Sequence, residues 1–159
     1  MRLARTKIAS LEHILAETTS GRKDGATIAL ANGCFDVLHV GHVRYLEAAR
    51  QEASRLVVAV NSDESVRRLK GSGRPILPAE DRALIVAALR CVDHVVVFEE
   101  DDVRHIIRAL RPDVHCKGTD YTEESVPERE TVLACGGRVA IVGDQKAHDT
   151  RALLSRVRQ

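Results

Sequence analysis

Short, strongly apolar segments alternate along the chain with longer segments in which apolar and charged residues are mixed. The short segments are rich in Val, Ile and Ala, which is typical of strands buried on both faces. They occupy residues 27–31, 56–60, 95–98, 114–117 and 139–142. In the longer segments apolar residues recur at helical spacing. The predicted helices occupy residues 8–16, 43–51, 79–90, 103–110, 128–134 and 150–157.

The alternation of strands and helices predicts an α/β fold: a Rossmann-like, doubly wound, parallel five-stranded sheet with helices on both faces. We expect a single domain over residues 1–159, with a leading helix in residues 1–20 and the core in residues 26–159. Residues 20–25 are interpreted as a linker, and the polar residues 61–78 as a long connection without regular structure. Such sheets bind ligands at the carboxyl ends of their strands, so we expect the site in those loops.

Composition narrows the function classes. The chain has 159 residues and a formal net charge of +1, so no overall field attracts nucleic acid or an anionic membrane. Aromatic residues make up only 3%, which argues against a stacking surface for single-stranded nucleic acid. No segment has the roughly 20 apolar residues that span a bilayer, and residues 1–20 lack the apolar core of a signal peptide. We therefore expect a cytoplasmic protein without a nucleic-acid or membrane partner.

The four cysteines are far apart in the sequence and form no CxxC pair. A chain of this length needs no disulfide framework, and structural zinc sites normally use closely spaced cysteine pairs. We interpret Cys34, Cys91, Cys116 and Cys135 as reduced thiols that hold no metal.

Two histidines flank a glycine shortly after the first predicted strand, where a helix begins. His39 and His42 are three residues apart and can share a face if both are helical. Gly41 removes a side chain where a ligand would approach the backbone, and the helix start adds N–H donors and partial positive charge. These features predict a triphosphate cradle. The pair alone also fits a structural role or a metal site, although no HExxH-like context supplies a third zinc ligand.

Short polar blocks continue this pattern along the chain. They are Asn32-Gly33-Cys34-Phe35-Asp36, His39-Val40-Gly41-His42, Val58-Ala59-Val60-Asn61-Ser62-Asp63, Arg68-Leu69-Lys70-Gly71, Arg74-Pro75-Ile76, Val92-Asp93, Phe98-Glu99-Glu100-Asp101, Arg111-Pro112-Asp113 and Lys117-Gly118-Thr119-Asp120-Tyr121. The first two blocks resemble the signature of the cytidylyltransferase-like nucleotidyltransferases. The later blocks resemble the D-glycero-β-D-manno-heptose 1-phosphate adenylyltransferase branch, and the resemblance extends from about residue 27 to the C-terminus.

The resemblance implies that the protein transfers AMP from ATP to heptose 1-phosphate, which yields ADP-heptose and pyrophosphate for the lipopolysaccharide core. It implies Mg²⁺ with ATP, held mainly by phosphates and water rather than by protein side chains. Some relatives are fused to a heptose kinase; here we expect a separate kinase. The apolar faces would permit a homodimer.

The residues receive roles as follows. Those expected to hold the phosphates and stabilise the transition state are His39, His42, Lys70 and Lys117. Those expected to bind the nucleotide are Gly33, Cys34, Phe35, Gly41, Asp120 and Thr150. Those expected to bind the substrate are Asp36, Asn61, Asp63, Arg82 and Tyr121, with Arg82 assigned by resemblance alone. From spacing alone Arg82 is a surface residue. Asp36 is expected to orient either the loop or the sugar phosphate, and it equally fits a local turn cap.

Two further features belong to this prediction. The basic residues of segment 65–74, together with Gly71 and Gly73, indicate a mobile lid over phosphates, although a solvated charged loop is the alternative. The family usually has Gly where Thr119 stands, and of its Ser/Thr-rich run before the last helix only Thr150 is retained. His94, His105 and His115 are interpreted as structural or surface residues.

Other functions share the histidine motif. A cytidylyltransferase that acts on glycerol 3-phosphate, or an adenylyltransferase that acts on a flavin, would carry the same segment. A catalytically inactive nucleotide sensor or a metal-binding module is the alternative from another class.

Overall fold

The computed structural model describes residues 3–144 and residue 155. The strands are β1 (Ile28–Gly33), β2 (Arg55–Asn61), β3 (His94–Phe98), β4 (Val114–Lys117) and β5 (Arg138–Ile141). The α-helices are α1 (Leu11–Lys23), α2 (Val40–Gln51), α3 (Asp63–Lys70), α4 (Ala79–Ala88), α5 (Arg104–Leu110) and α6 (Arg129–Ala134). Single 3₁₀ turns cover Ala4–Lys7 and Glu123–Ser125.

The five strands form one parallel sheet in the order β3-β2-β1-β4-β5. In β1, Ala31 pairs with Val58 of β2 on one side and with Cys116 of β4 on the other. The chain thus runs outward from β1 to one edge and then returns across it to the other edge. This reversal leaves a crevice at the carboxyl ends of β1 and β4, which is where such sheets bind ligands.

The sheet is covered on both faces, which confirms the predicted fold class. Alternate strand residues such as Val58 and Cys116 pack against α2 and α4 on one face. Their neighbours, such as Leu30 and Val57, pack against α1, α5 and α6 on the other. Each strand is therefore apolar on both sides, as its continuous sequence pattern indicates.

Two predicted connections turned out to be partly helical. Residues 20–23 are the last turn of α1 rather than a linker, and Thr18 is buried there with its hydroxyl bonded to the Ile14 carbonyl at 2.7 Å. The supposed structureless connection 61–78 contains α3, which the Ser62 hydroxyl caps by accepting the Ser65 N–H at 3.1 Å. Both helices contain many polar residues, which obscures their helical pattern.

The predicted helix at 150–157 and the site residue Thr150 lie outside the described residues, apart from Ser155. Over residues 3–144 the structure has no helix with the length and apolar character needed to cross a membrane.

Candidate active site

The loop that follows β1 leads the chain into α2. Gly33 ends the strand, and a Cβ at this position would lie 3.2 Å from the Phe35 ring, which leaves little room for any side chain. Phe35 and Val37 have positive φ angles of 49° and 59°, a conformation that residues other than glycine adopt rarely. Backbone strain of this kind is often found where a loop must hold a fixed shape for function.

His39 and His42 accept hydrogen bonds from the start of α2. The Gly41 N–H donates to Nδ1 of His39 at 3.2 Å, and the His39 N–H donates to Nδ1 of His42 at 3.3 Å. In the neutral rings the proton therefore sits on Nε2, which is a donor. His39 precedes the first helical residue and is the N-cap of α2. The two ring centroids are 4.0 Å apart because of the hydrogen bonds at this cap, and not because both residues lie on one face of the helix.

A cleft of about 860 Å³ opens at the carboxyl edge of the sheet, beside the start of α2. The predicted site residues that line it are Gly33, Cys34, Phe35, Asp36, His39, Gly41, His42, Asn61, Lys70, Lys117, Asp120 and Tyr121. Two predicted site residues within the described part of the chain, Asp63 and Arg82, are absent from its wall. The fold thus brings together residues from β1, α2, β2, α3 and β4.

The cleft also includes residues that the sequence analysis did not assign to the site. Among these are Asn32, Arg44, Tyr45, Thr119, Val142, Gly143 and Asp144. The positions of three of them could have indicated the site from the sequence. Asn32 begins the histidine segment, Arg44 follows that segment on α2, and Asp144 lies in the loop after the fifth strand. Arg44 forms an ion pair with Asp144 at 3.1 Å, and the Thr119 hydroxyl donates to the Asp144 carbonyl at 2.9 Å.

The Asp36 carboxylate is bound by backbone and side-chain groups of the protein. Its buried carboxylate accepts the N–H groups of Ile76 and Leu77 at about 3.0 Å and lies 2.7 Å from Nε of Arg74. These contacts attach the segment before α4 to the loop after β1. The structure therefore favours the loop-orienting role of Asp36 over direct substrate binding.

Arg82 is not the surface residue that its spacing indicates, and it does not line the cleft, so its assignment as a substrate ligand stays a prediction. Its side chain is fully buried, and its guanidinium donates to the carbonyls of Leu77 and Cys34 and to Oδ1 of Asp63. The distances are 2.9, 2.5 and 2.8 Å, so a phosphate would have to displace these partners. Arg82 and Asp63 instead support the loop from beneath.

Some basic side chains of segment 65–74 form ion pairs within the protein, and one forms none among the described residues. Arg67 pairs with Glu64, and Arg68 donates to Asp101 at 2.7 Å and to the Glu99 carbonyl. Lys70, the last residue of α3, has no ion-pair partner within residues 3–144 and lines the cleft. Of the four basic side chains in segment 65–74, only Lys70 is therefore left unpaired by residues 3–144 and offers its charge to a ligand, because Arg67 and Arg68 of α3 are paired and Arg74 pairs with Asp36.

The Asn61 and Cys34 side chains line the cleft and form hydrogen bonds within the protein. The Asn61 amide donates to the Ser65 hydroxyl at 2.9 Å, and its carbonyl accepts the Cys34 thiol at 3.9 Å. Burial raises the pKa of Cys34, although nearby Lys70 opposes this. Burial therefore favours the protonated thiol over the thiolate.

Lys117 ends β4 on the floor of the cleft and is largely buried. Its ammonium lies 3.3 Å from Glu128 Oε2 and 3.4 Å from Asn32 Oδ1, and it lies over the Tyr121 ring at 5.1 Å from the centroid. Sequence reasoning found the lysine from its place at a strand end but missed Glu128, which approaches from the start of α6.

In the part of the chain that the structure describes, histidines, cysteines and carboxylates do not gather into a metal site of their own. Within residues 3–144 no group of three or more such side chains is placed to hold a metal ion. His94 and His115, the two histidines on the sheet, are buried, which supports the structural interpretation. A metal that acts in this cleft would need most of its ligands from a bound molecule.

Comparison with known proteins adds independent findings. Residues 30–151 match the family model described as cytidylyltransferase-like. A protein named bifunctional protein HldE from Syntrophotalea carbinolica is 47% identical over 136 residues, which are 86% of this chain and 28% of the relative. One of the same name from Geobacter sulfurreducens is 44% identical over 151 residues, which are 95% of this chain and 31% of the relative. The chain thus spans less than a third of these curated relatives.

Two solved structures resemble the fold. One is described as the lipopolysaccharide core biosynthesis protein from Thermoplasma volcanium, with a TM-score of 0.66 and 26% identity over 77% of this chain and 100% of that one. The other is pantoate-β-alanine ligase from Francisella tularensis in complex with β,γ-ATP and β-alanine. It has a TM-score of 0.65 and 13% identity over 87% of this chain and 67% of that one, and it shows the fold alone.

Proposed function

This chain belongs to the cytidylyltransferase-like family, and we propose that it transfers AMP from ATP to D-glycero-β-D-manno-heptose 1-phosphate. The observation that carries the proposal is the pair of adjacent histidine rings with Nε2 donors at the start of α2. It lies in a cleft that also receives two lysines from other elements. Donors fixed by the backbone are suited to stabilise charge on a transferring phosphoryl group.

The proposed reaction is an in-line displacement. An oxygen of the sugar 1-phosphate attacks the α-phosphorus of ATP and forms the new P–O bond. The bond from the α-phosphorus to the bridging oxygen of the β-phosphate breaks, and pyrophosphate leaves with that electron pair. The nucleophile is already an anion, so no general base is needed. The protein contributes position and positive charge.

Each group in the cleft has a proposed part in this step. His39 and His42 donate to the α- and β-phosphate oxygens, and the N-terminus of α2 adds its partial positive charge. Lys70 and Lys117 approach the same phosphates from opposite sides of the histidines along the sheet edge. The strained loop at Gly33 fixes the position of this assembly beneath the nucleotide.

The remaining residues suit recognition of the sugar and the base. Asp120 and Tyr121 lie in the loop after β4, at the mouth of the cleft, and offer hydrogen-bonding groups to hydroxyls. Two observations favour a heptose phosphate. Blocks 61–63 and 117–121 resemble the heptose branch, and the fold resembles a protein described as acting in lipopolysaccharide core biosynthesis. The phosphate itself would come from a sugar kinase reaction.

Mg²⁺ fits the cleft as a partner of the phosphates. Carboxylates of Asp120 and Asp144 line the wall, and oxygen is the donor that Mg²⁺ prefers, but no ready-made group of ligands exists among residues 3–144. The ion would enter with ATP and neutralise negative charge on the triphosphate.

Pyrophosphate release tests the proposal directly. ATP and CTP are each combined with heptose 1-phosphate and with glycerol 3-phosphate, in the presence of Mg²⁺. We expect turnover of ATP with heptose 1-phosphate and little with the other pairs. Turnover only with CTP and glycerol 3-phosphate would move the protein to a sister activity. Absence of heptose 1-phosphate turnover with either nucleotide would overturn the assignment.

A further inference from the structure

A buried polar cluster lies under the floor of the cleft, on the face covered by α5 and α6. Its members are Asn32 of β1, His115 and Lys117 of β4, and Glu128 just before α6. His115, Lys117 and Glu128 are 0%, 7% and 4% exposed. Polar groups buried to this extent are expensive unless they satisfy one another, so their arrangement requires an explanation.

The cluster contains only two charges, and they cancel. His115 Nε2 lies 3.0 Å from Asn32 Oδ1, so this nitrogen carries the proton and donates. Burial, reinforced by the neighbouring Lys117 cation, lowers the pKa of His115 to about 3. The histidine is therefore neutral. The Lys117 ammonium lies between Asn32 Oδ1 at 3.4 Å and Glu128 Oε2 at 3.3 Å, in a close ion pair.

This arrangement sets the direction of the lysine. An ammonium has three N–H donors. One of them is directed to Asn32 Oδ1, and the Glu128 carboxylate holds the ammonium through an ion pair in which Oε2 has no hydrogen-bond partner among residues 3–144. The Tyr121 ring, with its centroid 5.1 Å from Nζ, limits movement from a third direction. Because Lys117 also lines the cleft, the remaining donor capacity is available to a bound phosphate.

We propose that Glu128 is a positioning residue for the nucleotidyl transfer: it holds the Lys117 ammonium in place and balances its charge before substrate binds. This inference rests on the proposed function, in which Lys117 contacts the phosphates. Glu128 itself touches no reacting atom and acts through the lysine. The carboxylate comes from the α6 side of the molecule, outside every block that carries the family resemblance.

Loss of the Glu128 carboxylate should change kcat and KM differently. In Glu128→Gln the ammonium loses its counter-charge and its fixed position, but it remains able to approach a phosphate. Ground-state attraction is then kept or increased, whereas alignment with the transition state is lost. We expect kcat to fall on the order of 10- to 100-fold, which is the scale of a misplaced catalytic group. The KM for ATP should stay unchanged or fall.

A double-mutant cycle isolates the pair. Lys117→Gln, Glu128→Gln and the double variant are compared in kcat, in KM and in the dissociation constant for ATP measured by calorimetry. Glu130→Gln is the control, since Glu130 lies on the same helix with 87% of its side chain exposed. The double variant should be no slower than Lys117→Gln alone, and the control should match wild type. Additive losses, or a KM that rises while kcat is unchanged, would overturn the proposal.

Two further measurements keep this inference testable if turnover or folding fails. If wild type fails to turn over heptose 1-phosphate, the proposed function fails, and the calorimetric cycle with ATP still decides whether Glu128 acts through Lys117. If Glu128→Gln does not fold, Glu128→Asp keeps the charge on a side chain one methylene shorter. We then expect a lower kcat at an unchanged KM, and a wild-type kcat in that variant would contradict the positioning role.

Discussion

At the scale of single residues, the backbone decides how His39 and His42 present themselves. Two backbone N–H groups at the start of α2 donate to their Nδ1 atoms, and this fixes the protons on Nε2. The spacing of the two histidines around a glycine is thus explained by hydrogen bonding at a helix start. The same bonds that cap the helix prepare the donors that we assign to the phosphates.

We predict that His42→Ala lowers kcat on the order of 100- to 1,000-fold, the loss measured when one donor to a transition-state anion is removed. Stability should fall by only about 1 kcal/mol, because the variant loses one cap hydrogen bond. Pyrophosphate release and urea unfolding measure the two effects. The matched variant is His13→Ala, whose side chain is 60% exposed on α1. Wild-type kcat in His42→Ala would refute the assigned role.

His115 makes a prediction about acid stability. Burial lowers its pKa from 6.5 to about 3 in the folded protein. Between these values the unfolded chain binds the proton and the folded chain does not, so stability falls as pH falls below 6.5. In His115→Gln the free energy of unfolding should depend less steeply on pH in this window, by up to about 1.4 kcal/mol per pH unit.

Urea unfolding at a series of pH values checks this prediction. A change at neutral pH alone would reflect the lost hydrogen bond to Asn32, so the slope is the quantity that matters. His13→Gln, at an exposed position, is the comparison. Equal slopes in wild type and His115→Gln would show that His115 titrates normally in the folded protein.

At the scale of elements, two buried ionic groups connect α3, α4 and the loop after β1. Asp36 holds the backbone of Ile76 and Leu77, and Arg82 joins Asp63 of α3 to the Cys34 carbonyl. The site loop is therefore supported by Asp63 and Arg82, two helix side chains that do not line the cleft. Its shape depends on partners far away in the chain, since Arg82 and Cys34 are 48 positions apart.

Arg82→Lys tests this support. A lysine keeps the charge but cannot reach three acceptors in the planar geometry of a guanidinium. We expect a loss of about 2 kcal/mol in stability, from buried carbonyls left without donors, together with a lower kcat as the Cys34 loop relaxes. Denaturant unfolding and steady-state kinetics measure these effects. Arg90→Lys, at an exposed position just after α4, should behave as wild type; a fully active Arg82→Lys would argue against loop support.

The turn between α3 and Arg74 offers a second test at this scale. Gly71 and Gly73 have φ angles of 87° and 88°, and a Cβ at either would meet nothing within 4 Å. Gly71 also has a ψ angle of −178°, in a region that is essentially restricted to glycine, so Gly71→Ala should cost on the order of 1–3 kcal/mol through backbone strain alone. Because Lys70 precedes this turn, the KM for ATP should also change.

Gly25→Ala is the matched control. Gly25 has a φ angle of 82°, and a Cβ there would also meet nothing within 4 Å. It precedes β1, whereas the cleft lies at the carboxyl end of that strand. The variant should also lose stability because of the positive φ angle, and it should keep the wild-type KM. If both variants show the same KM, the turn has no part in nucleotide binding.

At the scale of the whole molecule, a sheet covered on both faces supports a cleft at one edge. The core residues of β1, β2 and β4 are almost completely buried, so the strand ends that carry the site have little freedom to move. We propose that the described residues unfold as one cooperative unit, in keeping with the single domain expected from the sequence.

Nucleotide binding should therefore stabilise the entire unit. ATP with Mg²⁺ at 100 times its dissociation constant should raise the free energy of unfolding by about 2.7 kcal/mol, seen as a higher Tm in circular dichroism, since the chain has no Trp for fluorescence. CTP at the same concentration tests the base preference. A larger shift with CTP would contradict the choice of adenine, and no shift with either would contradict a nucleotide site.

The hydrophobic pattern by itself determined the fold class and the approximate positions of the described strands. Strands buried on both faces must be apolar throughout, so this architecture is visible in the order of residues. The sequence also placed the histidine segment and Lys117 at the carboxyl edge, because strand ends converge there in any parallel sheet. It selected Lys70 from the neighbouring glycines. It missed α3 and the last turn of α1, whose many polar residues obscure the helical period.

Only the tertiary structure decided which charges are committed and which are available. Arg82 and Asp36 turned out to be internal supports, Lys70 to be uncommitted among residues 3–144, and Lys117 to be paired with Glu128. An ion pair or a side-chain hydrogen bond forms between atoms a few ångströms apart, whatever their separation along the chain. Such pairs leave no period in the sequence, so the partners of a charge become known only when the elements are packed together.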